Sequence, residues 1–199
     1  MRSRRRFPLH RFATSSLVFA LASGLSVTAS AQESSAGPVV AWGYNDSGQL
    51  DVPTSVDGVM GNATAIAAAR YASCAIQSGT GAVVCWGDNN YGESAPPASV
   101  NGTSGSATAI ALSEAFGCAI QSGTGAVICW GNNAGGYLNV PASLNGTSGS
   151  ATAISAGLDF SCAIQSGTGA VVCWGDNFYR QLNVPAANRP TAVVRHEKI

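Results

Sequence analysis

Charge is scarce in this 199-residue sequence: 10% of its residues are Asp, Glu, Lys or Arg, and ten basic side chains balance ten acidic ones. Five of the basic residues, Arg2, Arg4, Arg5, Arg6 and Arg11, crowd the N-terminus. Residues 32–199 keep only Arg70, Arg180, Arg189, Arg195 and Lys198 against ten carboxylates, a net charge of −5. That balance excludes the cationic surface on which nucleic-acid affinity rests. Histidine is nearly missing too. His196, close to the C-terminus, is the one histidine beyond residue 31, so neither a Cys/His zinc site nor a Ser-His-Asp triad is well founded. No window carries a helical apolar stripe. No pair of carboxylates recurs at a fixed place either; Asp88 and Asp176 match each other but sit in turns.

The longest apolar run, Leu17 to Val27, is too short to cross a bilayer. With the basic head before it and Ala29-Ser30-Ala31 after it, residues 1–31 read as a secretory signal peptide, cleaved between Ala31 and Gln32. The stretch Ser3 to Phe7, "SRRRF", also resembles a twin-arginine signal. The general secretory route is favoured because six cysteines are easier to keep reduced in an unfolded chain; an uncleaved anchor is the alternative. The expected location is secreted or periplasmic, with no membrane attachment after cleavage.

What the sequence has in abundance is repetition. "CAIQSGTGAVVCWG" begins at Cys74 and again at Cys162, with "CAIQSGTGAVICWG" at Cys118, and these copies hold all six cysteines and three of the four tryptophans. Trp42, Trp86, Trp130 and Trp174 are 44 residues apart, as are Pro53, Pro97, Pro141 and Pro185. A period of 40–50 residues rich in short strands signals a β-propeller or a solenoid-like array, whose units bury their faces by stacking. In the last repeat, Thr152 to Gly157 reads as a first strand, Phe160 to Gln165 as a second, Ala170 to Gly175 as a third and Gln181 to Pro185 as a short fourth.

Gly167 at the first central position of Ser166-Gly167-Thr168-Gly169 fits a type II′ turn. That register sets Gln165 opposite Ala170, Ile164 opposite Val171 and Cys162 opposite Cys173. The leading segment supplies a control. "GPVVAWG" (Gly37 to Gly43) matches "GAVVCWG" (Gly81 to Gly87) but lacks the partner strand, and Ala41 stands at the cysteine position. Bridges between successive repeats would strand Cys74, whereas bridges within hairpins leave no orphan. Of the 15 pairings open to six cysteines, this selects Cys74–Cys85, Cys118–Cys129 and Cys162–Cys173. The spacing of eleven fits neither a zinc site nor a C-x-x-C redox centre.

The run Val39 to Pro53, "VVAWGYNDSGQLDVP", carries Trp42-Gly43, Asn45 and Gly48-Gln49-Leu50. These recur as Trp86-Gly87, Asn89 and Gly92, as Trp130-Gly131, Asn133 and Gly136, and as Trp174-Gly175, Asn177 and Gln181-Leu182, with Arg180 in place of the last glycine. Over residues 37–185 this pattern resembles the regulator of chromosome condensation repeat family, in a Cys-paired variant like its exported bacterial branch. The resemblance implies propeller blades of four antiparallel strands, usually seven to a ring. Here about three and a half repeats are present: a leading half-blade 37–53 and repeats 54–97, 98–141 and 142–185, within a repeat domain spanning 32–190. Residues 191–199, with "TAVV" at Thr191 to Val194, form a tail or the start of a further blade. Such an array cannot close the usual ring. Two chains completing one ring, an open array with protected ends and part of a longer chain are the alternatives, and self-association is expected.

Differences between the copies cluster after the first strand and after the Trp-Gly pair. There lie the candidate protein-binding residues Arg70, Tyr71, Tyr91, Glu114, Tyr137, Asp159, Phe178, Tyr179 and Arg180. Phe116 and Phe160, in the same stretches, read as core. Asp and Asn in "GDNN" (Gly87 to Asn90) read as Asx turns rather than calcium ligands, because the middle copy has Asn132-Asn133. Asn101 and Asn145 head glycosylation-type sequons but read as turn residues. No catalytic residue, metal or cofactor is assigned. The expected function is an exported, non-enzymatic repeat module that binds protein. Family members also act in guanine-nucleotide exchange on a small GTPase and in β-lactamase inhibition, and propellers host lyases and hydrolases. An exchange factor is therefore the second reading and an enzyme the third.

Overall fold

The computed structural model describes residues 36–185. The expected signal segment, its Ala31–Gln32 cleavage point and the 191–199 tail lie outside the described residues. Each repeat gives one sheet, in which a small-residue segment supplies the first strand and the fourteen-residue phrase a hairpin. The first sheet is β1 (Ala63–Ala68), β2 (Ala72–Gln77) and β3 (Val83–Gly87). The second is β4 (Ala107–Leu112), β5 (Phe116–Gln121) and β6 (Val127–Gly131), and the third β7 (Ala151–Ala156), β8 (Phe160–Gln165) and β9 (Val171–Gly175). All three are antiparallel, with strands in sequence order. The fold is all-β, of propeller-type blades.

The hairpin register is the one expected. Cys74, Cys118 and Cys162 lie directly opposite Cys85, Cys129 and Cys173, and each pair is bridged at Cα–Cα separations of 4.0 to 4.1 Å. The turn that sets the register differs from the expected type. Gly169 N–H reaches back to the Gln165 carbonyl at 3.0 Å, so the turn spans five residues rather than four. Gly167 and Gly169 both take positive φ, 78° and 68°, conformations glycine adopts without a Cβ clash. Gln165 N–H still bonds the Ala170 carbonyl at 2.8 Å, which preserves the register.

A second difference concerns the fourth strand. Gln181 to Pro185 is the end of a turn followed by chain outside any strand, so each blade has three strands. The cause is Asn177, whose Oδ1 accepts the Leu182 N–H at 3.0 Å. Asn45, Asn89 and Asn133 do the same to Leu50, Ser94 and Leu138. A side chain that takes a backbone N–H in this way competes with ladder formation. The recurring asparagine is therefore a turn-former.

Blades are joined by tryptophan. The indole N–H of Trp86, Trp130 and Trp174 donates to the carbonyl of Gln49, Glu93 and Tyr137, at 2.9, 2.8 and 2.9 Å. Each bond reaches 37 residues back, into the preceding repeat. Around these ties the faces close on apolar seams. Cys74, Ile76 and Val83 of the first sheet cluster with Ala107, Leu112 and Trp130 of the second, and Phe116, Cys118 and Ile120 cluster with Ala151, Ala163 and Trp174.

Glu93 is the odd member of this design. It is fully buried; Oε2 accepts the Tyr91 N–H at 2.9 Å, but Oε1 has no partner. Gln49, at the matching position, accepts from Ser47 N–H in the same way and turns its amide nitrogen to the Arg70 carbonyl, 3.4 Å away. Leaving a buried polar atom unpaired costs about 1–3 kcal/mol. Glu93→Gln restores the donor and is expected to raise unfolding stability by about 1 kcal/mol, read as a higher urea midpoint at unchanged slope.

Candidate functional site

The variable residues meet on one edge of the array because of the hairpin register. Ala72 pairs with Gly87, Phe116 with Gly131 and Phe160 with Gly175. The loop after each first strand and the loop after each third strand thus emerge side by side. They are bonded together: Asp88, Asn132 and Asp176 donate N–H to the carbonyls of Tyr71, Ala115 and Asp159 at 2.8, 2.9 and 2.8 Å. Glycine is required at the crossing. A Cβ on Gly87, whose φ is 100°, would lie 2.4 Å from the Tyr71 carbonyl oxygen. The opposite edge carries the near-identical hairpin turns and linkers, varied mainly by exposed Val59 and Met60 in the first linker.

The candidate residues divide into two groups on this rim. Tyr91, Phe178 and Tyr179 are exposed by 58, 79 and 83%, and Phe178 and Tyr179 meet edge to face at 4.8 Å. Arg180, exposed beside them, has φ 64° and is the only non-glycine with positive φ among the described residues. Its three counterparts are Gly48, Gly92 and Gly136. Arg70 lies over the Tyr71 ring at 4.8 Å and reaches Glu114 at 3.9 Å, which links the first two blades at the surface. An exposed pair of this kind contributes under about 1 kcal/mol.

Tyr137 and Asp159 instead belong to a seam. Tyr137 stacks on buried Phe116 at 5.1 Å and donates its hydroxyl to Asp159 Oδ1 at 3.1 Å. Burial, and then the hydrogen bond to Asp159, raises its phenol above the ordinary tyrosine value. Phe116 is core, as read from sequence, and Phe160 is half-buried against Gly157.

Two exposed side chains add to the rim, Tyr44 at 63% and Leu158 at 60%, while Trp42, 83% exposed, stands beside Ile66 on the face of the first blade. The exposure of Trp42 had a signal in the sequence, since the strand that should precede Gly37 to Gly43 is missing from the pattern. No group of three or more metal-ligating side chains occurs among the described residues. Two acids of the rim are spent on turns: Asp88 Oδ1 accepts the Asn89 N–H and Asp176 Oδ2 the Phe178 N–H. No helix among the described residues is long and apolar enough to cross a membrane.

Stapled three-stranded blades, tied by tryptophan and varied along one edge, define an all-β repeat protein. Residues 151–181, the body of the third repeat, match the model of the regulator of chromosome condensation (RCC1) repeat. No curated protein matches the chain. Among solved structures it is similar to the CRINKLY WD40 ectodomain of the Arabidopsis thaliana receptor kinase ACR4, at 24% identity and a TM-score of 0.44, covering 58% of this chain and 37% of that one. The ectodomain of the Physcomitrella patens receptor kinase CR4 is 28% identical at a TM-score of 0.44, over 55% of this chain and 29% of that one. Prp20p of Saccharomyces cerevisiae, described with its binding to Gsp1p and histones, is 18% identical at a TM-score of 0.48, over 70% of this chain and 38% of that one. The chain spans about a third of the length of these structures.

Proposed function

We propose that this chain is an exported, non-enzymatic repeat module that binds a partner protein through the rim of Arg70, Tyr91, Phe178, Tyr179 and Arg180. It also associates with itself. The observation that carries the binding role is the division of the blades: near-copies at the hairpin edge, unlike residues at the rim, with exposed aromatics and arginine on a stapled scaffold. Large aromatics and arginine are the side chains that anchor protein interfaces. Export is supported by the signal-like residues 1–31 and by three disulfides, which persist in oxidising compartments. The net charge of −5 beyond residue 31 speaks against contact with chromatin.

The backbone at Arg180 sharpens the reading. A non-glycine residue in the left-handed region costs about 1–2 kcal/mol, and strain of this kind collects at functional positions. Arg180→Gly is expected to raise stability by about 1 kcal/mol while weakening partner binding. Higher stability with binding intact would remove Arg180 from the contact.

The wider test uses immobilised protein exposed to a bacterial envelope fraction. A protein retained by the wild type and by the hairpin-edge variant Ser122→Ala/Ser166→Ala should be lost with Phe178→Ala/Tyr179→Ala. Equal retention by both variants would refute the rim, and turnover of a substrate by the purified chain would refute the non-enzymatic role.

A further inference from the structure

Among the described residues one kind of blade-to-blade contact is made twice, and its two halves recur, exposed, on the first and last blades. In the first seam Ile76 of β2 is 3% exposed beneath the second sheet, and in the second seam Ile120 of β5 is 3% exposed beneath the third. The matching residue of the last blade, Ile164, is 40% exposed, and Cys162 is half-buried where Cys74 and Cys118 are buried. On the receiving side, Ile110 and Ile154 are half-buried against the preceding sheet, while their counterpart Ile66 is 67% exposed. A cleft of about 380 Å³ opens beside Ile66, lined by Val40, Trp42, Ala67 and Arg70.

The edge of that cleft shows what fits it. Gly37 accepts the Ala63 N–H at 2.8 Å, as Gly81 accepts from Ala107 and Gly125 from Ala151, both at 2.8 Å. Val39 donates to the Val56 carbonyl at 2.8 Å, as Val83 does to Val100 and Val127 to Leu144 at 2.9 and 2.8 Å. The segment from Gly37 to Pro53 therefore sits where the third strand and following turn of a preceding blade belong. The stretch from Gly169 to Pro185 has the same pattern, "GAVVCWGDNFYRQLNVP" against "GPVVAWGYNDSGQLDVP". It is already part of a complete sheet.

We propose that the last blade of one copy packs on the first blade of the next, head to tail, and that Gly169–Pro185 takes the seat held by Gly37–Pro53. This rests on the self-association proposed above and adds its surfaces and polarity. The exchange is nearly neutral in hydrogen bonds. Gly169 and Val171 meet Ala63 and Val56, and the Gln181 carbonyl replaces that of Gln49 as acceptor for the Trp86 indole. The gain is burial of Ile164 against Ile66 and of the disulfide face beside it. A contact between unlike faces is heterologous, so it continues until a ring closes or the ends run out.

Ile66→Lys and Ile164→Lys test this, because each places a charge in the contact yet lies exposed in the single chain. Unfolding midpoints equal to wild type, read at a dilution where wild type is monomeric, verify that both variants fold. By light scattering over a concentration series, wild type should exceed the monomer mass, and each variant should bind itself about a hundredfold more weakly or worse. Mixing the two variants should restore a dimer that grows no further, since each retains the face the other lacks. A wild-type monomer at every concentration overturns the self-association and this inference together. A wild type that associates, with both variants unaffected or only one of them affected and no rescue on mixing, overturns the head-to-tail surfaces alone.

Discussion

Trp130→Ala should be the most damaging single substitution at any of the four tryptophans. The indole is 6% exposed, lies in the seam with Ile76, Val83 and Leu112, and donates to the Glu93 carbonyl at 2.8 Å. Removing a buried Trp side chain costs about 3–5 kcal/mol through lost burial and the cavity left behind. Little can move in to fill this one. The facing residue is Gly117, where a Cβ would stand 2.5 Å from the ring, so the sequence has already made room for the indole. The Glu93 carbonyl would also lose its donor. The molecule contains its own control: Trp42 occupies the equivalent position but is 83% exposed, and Trp42→Ala should stay within about 0.5 kcal/mol of wild type. Urea unfolding of the two variants beside wild type reads the difference directly.

Loss of the middle disulfide should have the next largest effect. The three bridges span the same separation of 11 residues, so chain entropy alone gives each about the same contribution, on the order of 2–3 kcal/mol. Burial separates them. Cys118 has blades on both sides and is 0% exposed, whereas Cys162 is half-buried on the end blade. Cys118→Ala/Cys129→Ala adds the loss of packed sulfur to the loss of the cross-link, so its urea midpoint should fall further than that of Cys162→Ala/Cys173→Ala. The denaturant slope should rise in both, because an unfolded chain without the bridge exposes more surface. Under graded reductant, Cys162–Cys173 should open first.

These two results follow from different kinds of information. The disulfide pairing was legible in the sequence, because Ala41 stands where a cysteine would be needed by any pairing between repeats. Strand positions in the phrase were legible too, since a period of 44 with a glycine-rich turn leaves one hairpin register. The fourth strand was not. "QLNVP" has the composition of a short strand, but Asn177 Oδ1 takes the Leu182 N–H, a local bond that alternation of apolar residues does not report. The five-residue turn was missed for the same reason: only the carbonyl chosen by the Gly169 N–H distinguishes it from the shorter form.

The rim was legible as a set of unlike residues and illegible as a surface. Tyr137 stands where the other copies have Gln49, Glu93 and Gln181. Its stacking on Phe116 and its bond to Asp159 depend on a neighbouring blade, which no spacing along one repeat reveals. Conversely, Arg180 was legible as a missing glycine, and the structure turned that into a backbone cost borne at an exposed place. Apart from Trp42, Ile66 and Ile164 on the first and last blades, what repeats is mostly buried, bridged or bonded into turns, and what differs is mostly open to solvent or placed at a seam.

All of this stands on the hairpin being a self-stapled unit. The direct measurement is a disulfide map of the purified, unreduced protein by mass spectrometry of its proteolytic fragments. The account predicts three links, Cys74–Cys85, Cys118–Cys129 and Cys162–Cys173, with no free thiol. A link joining cysteines of two different repeats would contradict it.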